Sequence, residues 1–159
     1  MKISAQEEYG LRCLVQLANL REGESLTLPQ IAQREGISTA NAGKLMWLLN
    51  KAGFVHSTRG TKGGYFLARP AGDIHLSEII RVLDQDVLRK HCESYTGVLN
   101  SCVHNGDCGI RPVIVGLHEI VENALSQITL AQLVGSESSV DAIFHKIQGI
   151  NRTIEPQRI

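Results

Sequence analysis

The chain has 159 residues, of which 43% are hydrophobic and 4% aromatic, and its 16 Lys+Arg balance 16 Asp+Glu. That length suits one domain, or one domain with an added arm, and the apolar content suffices for a core. No apolar run approaches the roughly 18 residues of a membrane span and no charged-then-apolar leader opens the chain, so a cytoplasmic protein without membrane contact is expected.

A net charge of zero argues against a nucleic-acid partner only if the charge is evenly spread, and it is not. Residues 1–70 carry nine Lys+Arg against five Asp+Glu, and residues 71–159 carry seven against eleven. Between Glu35 and Asp73 there is no acid, while Lys44, Lys51, Arg59, Lys62 and Arg69 all fall there. A local basic surface of this kind is the footprint that a phosphate backbone requires.

A first amphipathic helix is expected over residues 7–20, where Leu11, Leu14, Val15 and Ala18 recur at three- and four-residue steps and Ser4 is placed to cap. A short second helix opens at Thr27-Leu28 with Pro29 in its first turn, where a missing N–H is harmless, and ends at Glu35-Gly36. Ser38 caps a third helix reaching about Ala52, with Leu45, Leu48 and Leu49 facing inward. Helix, glycine turn and helix make a helix-turn-helix pattern, whose second helix enters the major groove with its N-terminal residues leading. The residues so presented are Ser38, Thr39, Ala40, Asn41, Gly43 and Lys44, of which Ser38, Thr39 and Asn41 can bond bases or phosphates and Lys44 adds charge. Two β-prone runs, 54–58 and 65–67, then flank Arg59-Gly-Thr-Lys62-Gly63-Gly64. Directly behind a helix-turn-helix this hairpin reads as a wing, with Arg59, Lys62 and Gly63 at its tip and Arg59 suited to a narrow minor groove.

Residues 74–83 form a further short amphipathic helix. Beyond it, Cys92, Cys102 and Cys108 lie within seventeen residues, among turn formers such as Gly97, Asn100, Asn105 and Gly106. Three thiols in a loop point to a metal site or redox chemistry more than to a disulfide framework, which would leave one cysteine unpaired. The C-x9-C-x5-C spacing has no CxxC knuckle of the kind zinc favours, and iron–sulfur clusters take thiolates from irregular loops. Iron–sulfur, zinc and a thiol switch all stay open on the residues alone. Cys13, on the apolar face of the first helix, is read as a buried small hydrophobe.

Pro112 opens a long helix expected to reach about Leu133. Ile114, Leu117, Val121, Ala124, Ile128 and Ala131 advance in a seven-residue repeat, and Val113, Ile120 and Leu125 add a second apolar flank. Two apolar faces on one helix suit a dimer interface, because a helix-turn-helix reads two half-sites across a two-fold axis. A polar tail follows from Gly135, expected to be loosely ordered from about Gly149.

The Met1-Lys-Ile-Ser opening with Tyr9, the LPQIAQREGIS stretch, the RGTKGGY wing, the IHLSEII helix and the three cysteines before a long helix together resemble the winged-helix transcription regulators of the IscR and NsrR type over roughly residues 1–133. The resemblance implies a mainly α fold with a small β-wing, a winged helix-turn-helix followed by a long dimerisation helix. It also implies a homodimeric regulator, taken as a repressor, on a pseudo-palindromic double-stranded DNA operator, with Tyr9 counted among the DNA contacts. An iron–sulfur cluster, 2Fe–2S or 4Fe–4S, is implied on Cys92, Cys102 and Cys108, reporting redox state, nitric oxide or iron supply. The fourth ligand differs within this family. At the position of the IscR-type histidine stands Arg111, which cannot ligate, whereas Glu8 matches the carboxylate that NsrR-type proteins take from the other subunit. His104 is the rival ligand and His91 a more distant one. A zinc- or thiol-based sensor on the same head is the alternative. The expected units are a DNA-binding domain at 1–72, a cluster loop and dimerisation helix at 73–134, and a polar tail at 135–159.

Overall fold

The computed structural model describes residues 3–58, 60, 63–83, 98–99, 102–104 and 106–152, with the side chains of 147–152 excepted. Helix α1 (Ala5–Ala18) starts where the Ser4 hydroxyl accepts from the Glu7 N–H, and the Glu7 carboxylate in return accepts from the Ser4 N–H at 2.7 Å. This reciprocal pairing satisfies two otherwise orphaned donors. Glu7 is thereby buried without being left uncompensated. Helix α2 (Leu28–Glu35) repeats the device with Thr27 and Gln30, and ends at Gly36, whose left-handed φ of 65° a side chain would disfavour. Helix α3 (Thr39–Lys51) is capped by Ser38. Its inward residues are Ala42, Leu45, Met46 and Leu49, so Met46 takes the place expected of Leu48, which is only half-buried.

Strands β1 (Val55–Ser57) and β2 (Tyr65–Leu67) pair antiparallel with His56 opposite Phe66. Leu26 bridges to Tyr65 through two backbone bonds of 2.7 and 3.0 Å, which fixes the wing to the turn between α1 and α2. Helix α4 (Leu76–Leu83) follows a 3-10 turn at Ala71–Asp73, and its Ile79 and Leu83 complete a core formed with Leu14, Ile31, Met46, Leu49 and Ile74. The head is thus a winged helix built on one shared apolar cluster. Among the described residues no helix is long and apolar enough to cross a membrane.

Helix α5 (Ile110–Ser126) begins two residues before Pro112 and ends well short of Leu133. The reason is a long-range tie: Leu76 donates to the Ile128 carbonyl at 2.9 Å, and Leu130 donates to that of Ile74 at 2.8 Å, making an antiparallel bridge at His75 and Thr129. Ile128 is consequently buried in its own chain, and Thr129 opens a 3-10 turn over Leu130–Leu133. The segment after Gly135 also departs from expectation, forming helix α6 (Glu137–Arg152) across the point where order was expected to fade. The Ser136 hydroxyl accepts from the Ser139 N–H at its start, and Ile143 packs beside Leu76 and Ile128.

Candidate DNA-reading face and cysteine loop

The exposed side of α3 presents Thr39, Ala40, Asn41, Lys44, Trp47 and Lys51. The Ser38 hydroxyl is committed to the cap, accepting from the Asn41 N–H at 3.2 Å, so its first task is holding the leading turn in shape. Thr39, Asn41 and Lys44 carry no such commitment in the helix scaffold and stand in solvent on the N-terminal half. In the wing, Thr58 N–H donates to the Gly64 carbonyl at 3.0 Å and Gly63 N–H to that of Gly60 at 2.9 Å, which closes the hairpin tip. Arg59 and Lys62 lie outside the described residues. Tyr9 sits on α1, half-buried against the core, with the Arg12 guanidinium 5.7 Å from its ring centre.

Trp47 belongs to this face and is absent from the expectations above. It is 60% exposed, with the Lys51 ammonium 5.1 Å from its ring centre. Its signal in the sequence was spacing alone: it stands three residues after Lys44 and four before Lys51, on the stripe that faces away from Met46 and Leu49.

Cys102 and Cys108 are free thiols, half-buried, on irregular backbone leading into α5. Cys92 and His91 lie outside the described residues. His104 is exposed, and its carbonyl accepts from Arg111 at 3.3 Å. Arg111 therefore braces the segment that leads into α5. Glu8 is also exposed and pairs with Arg12 at 2.7 Å, one turn along α1. Among the described residues, no three His, Cys, Asp or Glu side chains cluster as a metal site would need. Cys13 is a different kind of thiol. It is fully buried, and burial, reinforced by the Glu35 charge, pushes its pKa up to about 12.

Helix α4 is tied to α1 on one side and to α5 on the other. Leu83, the last residue of α4, packs against Gly10 so closely that a Cβ there would meet its Cδ1 at 2.5 Å. The Gln6 amide donates to the Leu83 carbonyl at 2.7 Å. On the other side, Arg81 and His118 both bond Glu122, joining α4 to α5. Helix α5 has no fully buried residue. The two apolar faces differ from those expected: Leu125 is half-buried with Ile114, Val121 and Ala124, while Leu117, expected beside Ile114, joins Ile110, Val113 and Ile120 in being at least 60% exposed.

Comparison with known proteins gives a consistent set of likenesses. A model of the Rrf2 family, described as an iron-dependent transcriptional regulator, matches residues 3–136. The transcriptional regulator IscR of Klebsiella pneumoniae is 30% identical over 141 residues, 89% of this chain and 84% of its own length. Among solved structures, CymR (YrzC), the global cysteine regulator of B. subtilis, superposes with a TM-score of 0.67 at 29% identity, over 84% of this chain and 96% of that one. The T. potens IscR structure matches with a TM-score of 0.64 at 27% identity, over 99% and 94%. All three are regulators and none is an enzyme.

Proposed function

This chain belongs to the Rrf2 family of iron-dependent transcriptional regulators, and on that premise we propose that it is a homodimeric, DNA-binding repressor whose affinity follows an iron–sulfur cluster held by Cys92, Cys102 and Cys108. The observation that carries this reading is the pair of unbridged, half-buried thiols on irregular backbone immediately before α5. Their chemistry fits the group: thiolates on non-helical loops are the usual holders of such clusters. Arg111 is excluded as a ligand by its own chemistry; the resemblance to NsrR-type proteins makes Glu8 of the other subunit the proposed fourth ligand, with His104 as the rival and His91 a more distant one. Glu8 would have to give up its bond to Arg12, a solvent-exposed pair on one helix face worth only about 0.3–0.5 kcal/mol. When bound, the cluster supplies a group that responds to oxidants, nitric oxide or iron supply.

The chain's own residues supply the route from there to DNA. Helix α4 precedes the cysteine segment in the chain, and the side chain of its Leu83 rests on Gly10 while its carbonyl is held by Gln6, so a shift at the end of α4 is felt at α1. Helix α1 shares its buried face with α2 and α3 through Cys13, Leu14 and Leu17. A coupling of about 1–3 kcal/mol along that path changes affinity roughly five- to 150-fold. The exposed stripe Ile110, Val113, Leu117 and Ile120 supports dimerisation, because apolar surface of that continuity is normally covered. The dimer would place two reading heads on a pseudo-palindromic operator.

A second reading uses the same three thiols without a cluster, as a zinc site or an oxidisable switch, and the likeness to a cysteine regulator favours keeping it. One preparation separates them. Purified without oxygen, the parent protein should be brown, contain iron and sulfide, and change its DNA affinity when the cluster is removed, and Cys102→Ser should be colourless. Glu8→Ala should retain iron less well. A colourless parent containing zinc, or one whose DNA affinity changes only with thiol oxidation, would transfer the assignment to the second reading.

A further inference from the structure

We propose that Trp47 is a DNA contact that seats α3 in the major groove by packing its indole against the sugar–phosphate wall, with Lys51 beside it on the same strand. The inference rests on the DNA-binding activity of the family and is independent of any cofactor.

The first argument is exposure. Trp47 is 60% exposed, although it is the only tryptophan of the chain. It is not part of the α5 stripe that awaits a partner, so covering that stripe leaves its role unexplained. The second argument is charge. Its flanking residues on the exposed side of α3 are Lys44 and Lys51, and no carboxylate occurs between Glu35 and Asp73. An apolar protein partner would have to desolvate both ammonium groups without compensation, whereas a polyanion pairs with them as it covers the ring. The Lys51 ammonium already lies over the indole at 5.1 Å, so ring and charge meet the same ligand together.

The third argument is reach. Trp47 stands eight residues after Thr39, which at 1.5 Å per residue puts it about 12 Å along the helix. The major groove is about 12 Å wide. With the leading turn of α3 at the base edges, Trp47 arrives at the groove wall and Lys51, one turn further, at the phosphates. The contact is therefore to backbone and carries no base information, so it sets affinity and register and leaves discrimination to Thr39, Asn41 and Lys44.

Because there is one tryptophan, its emission reports this contact directly. The full-length protein is titrated at low salt with a labelled mixed-sequence duplex of about 30 base pairs, following the label's anisotropy and the tryptophan emission together. Emission should change, and acrylamide quenching should fall, with the same midpoint as the anisotropy. Trp47→Ala should weaken binding roughly tenfold, as expected for about 50 Å² of aromatic surface left uncovered, with an unchanged circular-dichroism spectrum and solution mass. Trp47→Phe should recover most of the loss, and Lys51→Gln should lower the slope of log affinity against log salt by about one. Binding seen by anisotropy without any change in tryptophan emission or quenching overturns the proposal. So does a Trp47→Ala protein that binds like the parent, or one whose only defect is an altered solution mass, which would assign the ring to a protein contact.

Discussion

In the head, Leu14, Ile31, Met46, Leu49, Ile74 and Ile79 are completely buried in one cluster, which Leu130 joins from beyond α5, whereas α5, seventeen residues long and more apolar in composition than α1, buries none of its own. The head satisfies its helix ends as well, with Ser4, Thr27 and Ser38 each accepting from the first turn that follows it. Helix α5 starts at Gly109 with no side-chain cap. The head's core is closed within the single chain, whereas α5 leaves Ile110, Val113, Leu117 and Ile120 uncovered. That division suits a sensor: the element that changes its state should draw little of its stability from the part that must keep its shape.

The comparison is broken most severely from the head. Leu49→Ala opens a cavity in the shared cluster beside Met46 and should cost about 2–5 kcal/mol, read as a lower urea midpoint for the whole chain. If only the α5 signal moved, the head would not be the seat of stability. A substitution on the other side should leave stability and remove assembly. Leu117→Glu, in the outward stripe of α5, should halve the mass measured by light scattering while preserving helicity. It should also weaken binding to a two-half-site duplex by about 100-fold, since the second head no longer benefits from the first. A parent protein already monomeric at micromolar concentration would refute the assignment of that stripe.

The smallest expected effect lies at the seam between wing and α4. Arg69 donates to Glu78 at 2.5 Å, and this bond holds the Glu78 carboxyl below its ordinary range. A carboxyl with a depressed folded-state pKa contributes stability above its unfolded pKa, and that contribution is lost as pH falls through the folded value. Both side chains are more than a third exposed, so solvent discounts the bond to about 0.2–1 kcal/mol. Glu78→Gln should show that small loss at neutral pH, and the gap to the parent should close on acidification. A gap that persists in acid would mean the loss is packing and not charge.

Much of the head could be read locally, because its signals are local. A cap hydroxyl, a proline in the first turn and a glycine after the last each act within four residues, and the helices at Leu28–Glu35 and Thr39–Lys51 follow from them. What ends α5 acts over fifty residues: the repeat runs on through Ile128, but the bonds from Leu76 and Leu130 turn the chain away. Helix α6 was hidden by its serine-rich start, since Val140, Ile143 and Phe144 supply apolar spacing in a segment otherwise polar. At the candidate site, residue type announced the cysteine loop, while the roles of Arg111 and Glu8 depend on neighbours that only folding supplies. Trp47 matched no motif, and its exposure became legible only once Met46 was seen to take the inward place.

The burial of Cys13 has a practical consequence for any chemistry attempted on this protein. With its sulfur sealed and its proton held to about pH 12, it stays mute to alkylating agents as long as the fold is intact. Every fast-labelling cysteine counted by mass spectrometry in the native state is then Cys92, Cys102 or Cys108, so a simple titre of modified chains tests, without spectroscopy, whether those three are held as the proposed function requires.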